Sequence, residues 1–177
     1  MKKYPEAYIE YLLYFHAERD YFECHEVMEE FWKEHPTDEQ SKTYVALIQI
    51  AVGMYHIRRG NRTGAVKMLQ SAERNAQSEH VASLGLDAEK LAQLIRDTYA
   101  LIDRDGYHYQ DINLPIADSE LIALCLSECE RQGLVWQAPS RMADIELIQK
   151  HTRRDRTDVI EERAKQQQIR KEKGGAR

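Results

Sequence analysis

Glycine, proline and cysteine are all scarce in this chain of 177 residues, at 8, 4 and 3. So few turn formers exclude an architecture of many short strands and tight hairpins. Cys24, Cys125 and Cys129 are odd in number and show no Cys-x-x-Cys spacing, which excludes a disulfide framework or a zinc ribbon and points to a reducing cytoplasm. No apolar run approaches the roughly 18 residues that a membrane span needs. Glu6 and Glu10 interrupt the apolar start, so a signal peptide is not expected. Basic charge is not in excess either: Lys and Arg number 25 against 30 Asp and Glu, and a net charge of −5 offers no general attraction to nucleic acid or anionic lipid.

What is present is helical. Hydrophobic residues make up 42% of the chain and charged ones 31%, enough for one core under a heavily charged surface. Tyr8, Tyr11, Leu12 and Phe15 recur at helical spacing after Pro5, which suits a first helical turn. Asp20 is placed to cap a second helix that Pro36 stops. From Lys42 to Arg59 the chain is apolar on nearly all sides, the mark of a helix buried in a bundle, with Gly60 as its terminator. Asn61 and Asp87 cap a fourth and a fifth helix, the latter ending near Gly106. The expected fold is all-α, a compact bundle of αα-hairpins with about five core helices and a C-terminal helical extension. The core domain is expected over residues 1–106. Residues 107–177 are expected to form a linker of a dozen residues, a short helix from Ser119 to Gln132, and a charged helical tail from Met142.

That tail splits the charge. His151 to Arg177 holds nine basic and five acidic residues, a net of +4, which leaves −9 on the first 150. A faint repeat at an offset of 40 residues aligns Phe15-His16 with Tyr55-His56 and Met28 with Met68. In that alignment Ala65, Leu69 and Ala72 of the second copy are matched by His25, Glu29 and Trp32 of the first, so a small apolar face has become polar.

His25 and Glu29 are four apart on the second helix and project from one face, close enough to share a proton or hold one divalent ion. Glu23, Glu30 and Glu34 fall on the opposite, solvated side. The pattern His-Glu-x-x-Glu differs from the His-Glu-x-x-His of zinc proteases, and a metal would need ligands from another helix. Gln49, Gly53 and His56 share one side of the third helix; if that side faces the second, His25, Glu29, Gln49 and His56 converge with Glu26 beside them. Asn61 is read first as a helix cap.

Taken in order, His25-Glu26-x-x-Glu29-x-x-Trp32, Leu47-Ile48-Gln49-x-Ala51 and Gly60-Asn61-x-x-Gly64-Ala65 resemble an uncharacterised bacterial family, domain of unknown function 309, over roughly Tyr11 to Leu101. The resemblance implies a compact helical fold and no established activity. It matches His25, Glu26, Glu29, Trp32, Gln49, Asn61 and Gly64 to motif positions and leaves the stretch after Gly106 outside. The expected function is a non-enzymatic helical binding module that self-associates through tyrosine-rich and apolar helix faces, with a polar pocket of His25, Glu26, Glu29, Trp32, Gln49, His56 and Asn61. One alternative is a metal-dependent hydrolase, with His25, Glu29 and His56 as ligands and Glu26 as general base. Another is contact between the basic tail and RNA or a ribosomal surface.

Overall fold

The computed structural model describes residues 2–153, 164–165, 167–169 and 171–172. The order of elements is α1 (Glu6–Leu13), a π-helical turn (Tyr14–Glu18), α2 (Tyr21–Glu34), α3 (Ser41–Arg58), α4 (Arg62–Asn75), α5 (Ser78–Ser83), α6 (Ala88–Ile102), α7 (Ser119–Gln132), α8 (Ile145–Ile148) and α9 (Lys150–Arg153). No strand occurs among the described residues, and no helix among them is long and apolar enough to cross a membrane. The all-α expectation is met. Two elements differ from it. Ser78–Ser83 forms a short helix where the periodicity fades. The helix expected from Met142 begins only at Ile145, where Asp144 caps it, and breaks at Gln149; most of the rest of the tail lies outside the described residues.

The helices pack as neighbours in a row: α7 on α1, α1 on α2, α2 on α3, α3 on α4, and α4 on α6. Three caps read from the sequence are in place, with Asp20, Asn61 and Asp87 accepting from the backbone N–H groups of Glu23, Gly64 and Lys90. Helix α3 is central, with Tyr44, Leu47, Ile50, Ala51 and Met54 buried. Its contact with α4 is close because Gly53 has no side chain: a Cβ there would stand 3.0 Å from Leu69 Cγ. Three tyrosines of the N-terminal helices are core residues. Tyr8, Tyr11 and Tyr21 are fully buried, and Tyr8 and Tyr11 donate to the backbone carbonyls of Leu84 and Leu47. A phenol satisfied by a buried carbonyl is the polar tip of a packed ring.

Residues 107–118 are not a free linker. Leu114 is buried, and it joins the same hydrophobic core as Leu121, Cys125 and Cys129 of α7. Asp87 N–H donates to Pro115 O, while Ala117 N–H donates to Gly85 O. The core therefore extends past Gly106, and the segment is a strap across the bundle. Its low hydropathy disguised it, because much of its binding runs through backbone groups.

Two buried polar side chains, one in the π turn and one at its C-cap, hold the strap. Arg19, 2% exposed, donates to the carbonyls of Phe15, Ile112 and Ala138 and to Asn113 Oδ1. His16, fully buried against Trp136, bonds Leu12 O through Nδ1 and accepts from Leu114 N–H at Nε2, both at 2.9 Å. That pattern is the neutral tautomer carrying its proton on Nδ1. Burial pushes the pKa of His16 down to about 4 from 6.5, with the positive charge of Arg19 adding to the fall and the Leu12 carbonyl opposing it. The unfolded chain takes the proton first, so this stability is complete above pH 6.5 and is lost as the pH falls toward 4. His16→Gln should be less stable than the parent at pH 7, and the gap should shrink by about 3 kcal/mol by pH 4 in urea titrations compared across pH.

Candidate functional site

Helix α2 begins at its Asp20 cap and buries Tyr21, Cys24 and Met28 on one stripe. His25 lies at the edge of that stripe, one residue on from Cys24, with its side chain 29% exposed. Its Nε2 is 2.8 Å from Glu29 Oε2, and its Nδ1 is 3.1 Å from Glu26 Oε1. Lys33, four further on, places Nζ 2.8 Å from the other oxygen of Glu29. Burial works to raise the Glu29 pKa, but the bond from Lys33 and the neighbouring His25 outweigh it and hold the carboxyl below its ordinary value. One potential donor atom from each of His25, Glu26 and Glu29 lies within 4.8 Å of the others. Glu26 is thus part of the cluster and not a base standing clear of it.

Glu26 and Glu29 of the cluster line an acidic groove of about 540 Å³ together with Glu10, Glu23, Glu30 and Glu34, with Lys33 its one basic side chain. A larger recess of about 680 Å³ lies between α1 and α7, and none of the residues singled out from the sequence lines it.

The convergence with α3 does not occur. Gln49, Gly53 and His56 do share a face, and that face meets α4. Gln49 Oε1 accepts from Asn75 Nδ2 at 3.0 Å, Gly53 abuts Leu69, and His56 Nδ1 is 3.3 Å from Asn61 Nδ2. Between His25 and His56 stand two rings: Phe22 is 6.1 Å from His25 and 6.2 Å from Tyr55, which lies 6.2 Å from His56. His56 is therefore outside the set of potential metal ligands, and burial, aided by the charge of Arg59, lowers its pKa. Trp32 is also elsewhere engaged, donating from Nε1 to Ser41 Oγ at 2.8 Å and tying the end of α2 to the start of α3. Asn61 caps α4, accepting from Gly64 N–H at 3.0 Å. A Cβ at Gly64 would fall 2.6 Å from the Asn61 amide, so this part of the motif builds a turn and not a pocket.

The sequence reading passed over Lys33, although its spacing from Glu29 gives a helical i, i+4 pair. It also passed over Arg19 and Arg58. Arg58 is 5% exposed, donates to Arg19 O, and covers the Tyr21 ring at 4.5 Å. Nothing in the spacing separates these arginines from surface ones.

The family model described as domain of unknown function (DUF309) matches residues 8–68, which holds the α2 cluster and the α3–α4 turn. A Bacillus subtilis (strain 168) protein described as uncharacterized protein YpuF is 46% identical over 170 residues, 95% of this chain and 97% of its own. This chain belongs to the DUF309 family. The likeness to the Bacillus protein also runs through the strap and α7, which the motif resemblance had left out. No solved structure matches.

Asn61→Ala should lower stability by about 1 kcal/mol, as for other lost caps, and leave the imidazole resonances of His25 unmoved in NMR spectra. A shift at His25 would place Asn61 in the pocket after all.

Proposed function

We propose that this protein is a non-enzymatic helical binding module whose receptor is the acidic face of α2, centred on His25, Glu26 and Glu29, and that it takes a cationic group. The observation that carries this reading is that Glu26 and Glu29, the two carboxylates that close on the His25 imidazole, also line a groove with further carboxylates. Such a groove concentrates cations by its field, and its low-dielectric wall strengthens contact at close range. The hydrolase reading draws less support. It requires His56 as a third ligand and Glu26 free to take a proton from water, whereas His56 sits beyond two aromatic rings and Glu26 lies against His25. The acidic lining favours a ligand or protein of basic character as the partner.

The test is an NMR titration of the full chain with a lysine-rich peptide. Shifts should cluster on α2, weaken with added salt, and disappear in Glu26→Gln/Glu29→Gln/Glu30→Gln. Shifts spread evenly over the surface, or a triple variant that binds equally well, would remove the receptor reading.

A further inference from the structure

We infer that the acidic groove of α2 and the recess between α1 and α7 are two halves of one docking surface, and that its partner is an amphipathic basic helix, apolar on one face and cationic on its flank; this rests on the reading of the α2 face as a receptor for a cationic group. The two cavities meet at α1 and the π turn, where Glu10 and Tyr14 line both and form a shared rim. The recess, at about 680 Å³, falls within the roughly 300–1,000 Å³ of sites that bury a ligand.

The walls of the recess are two helix stripes. Glu6, Ile9, Glu10 and Leu13 recur at helical spacing on α1, and Leu124, Glu128 and Arg131 do so on α7. A valley between two such stripes is shaped for a third helix. An apolar side chain docked in it covers Leu124, which the folded chain leaves 48% exposed.

Charge then sets the sign of the partner. The cations of the recess are Lys2, Lys3 and Arg131, and each is already matched within the chain. Lys2 Nζ lies 3.5 Å from Glu6, Lys3 Nζ lies 2.6 Å from Asp118, and Arg131 Nε donates to Glu128 Oε2 at 2.9 Å. Glu10, on the shared rim, has no ion pair among the described residues. Partial burial, with the negative charges of Glu6, Glu128 and Glu30 adding to it, holds its carboxyl above the ordinary value. A basic residue beside the apolar anchor therefore meets Glu10, with Glu26, Glu29 and Glu30 in the adjoining groove. Helices recognised in grooves are read in this way, with apolar anchors at i, i+3 or i+4 and i+7 giving affinity and flanking charges fixing register.

The probes are an amphipathic helical peptide of leucine and lysine and a peptide of the same residues in scrambled order, each titrated into the full chain by NMR. Both should shift α2. Only the amphipathic helix should shift the methyl groups of Ile9, Leu13 and Leu124, and it should bind about tenfold more tightly. Leu124→Ser should reduce the amphipathic helix to the affinity of the scrambled peptide. Leu126→Ser, on a leucine of α7 that is 46% exposed and does not line the recess, should change nothing. Glu10→Gln should weaken both peptides two- to fivefold, the scale of one exposed ion pair. If Leu124→Ser loses the fold by circular dichroism, Leu124→Ala and Glu10→Gln carry the test. Equal affinity for the two peptides, or binding of the amphipathic helix indifferent to Leu124, overturns the joint surface and leaves α2 as a receptor for charge alone. A chain that is dimeric by analytical ultracentrifugation and made monomeric by Leu124→Ser also overturns it, because a second copy then fills the recess. Failure of both peptides to shift α2 removes the receptor and the joint surface with it.

Discussion

A guanidinium buried to 2% exposure needs acceptors, and the four that Arg19 finds decide how the rest of this molecule closes. Leaving such a charge unpaired in the interior costs several kcal/mol, so the chain around it is arranged to meet it. One acceptor is local, Phe15 O; Ile112 O and Asn113 lie on the strap and Ala138 O follows α7. The π turn makes this possible. It carries one extra residue per hydrogen-bonded ring, ends with Arg19 in a left-handed conformation at φ 54°, and delivers the side chain inward between the first two helices. Arg58 then donates to the Arg19 carbonyl from α3, which ties the central helix to the same point.

The α2 cluster depends on that closure at one remove. Asp20, next to Arg19, caps α2 and also receives Lys150 at 2.7 Å, with Glu23 beside it. The start of α2 is thus set by part-buried bonds, and its outer turns carry His25, Glu26 and Glu29 on a fixed helix, the two carboxylates lining an acidic groove. Rigid support on one side and solvent on the other are what a cation receptor needs, since the carboxylates keep their charge while their geometry is held.

The helices were legible because they follow periodicity and capping, two signals local to the chain. Asp20, Asn61 and Asp87 mark ends that the structure keeps. The pairing of His25 with Glu29 was legible for the same reason, as spacing on one helix. The shared face of Gln49, Gly53 and His56 was legible too, but not its direction. Which neighbour a buried helix shows to each face is decided by packing, and here Gly53 gives α4 the close approach that turns those polar groups away from α2. The strap was not legible at all. Much of its hold on the core is made by backbone groups meeting His16, Arg19 and Gly85, and a backbone group leaves no trace in a sequence.

The bond between Leu114 and His16 spans 98 residues, and that from Arg19 to Ala138 spans 119. During synthesis at about 5–20 residues per second, the N-terminal hairpins emerge many seconds before their buried polar groups can be satisfied. The nascent chain passes through a stage with secondary structure formed and its first charged core residue still in water. Long-range closure of this kind slows folding relative to a bundle of purely local hairpins. The family motif ends within the part of the chain made first, yet the last partners of that part are made last.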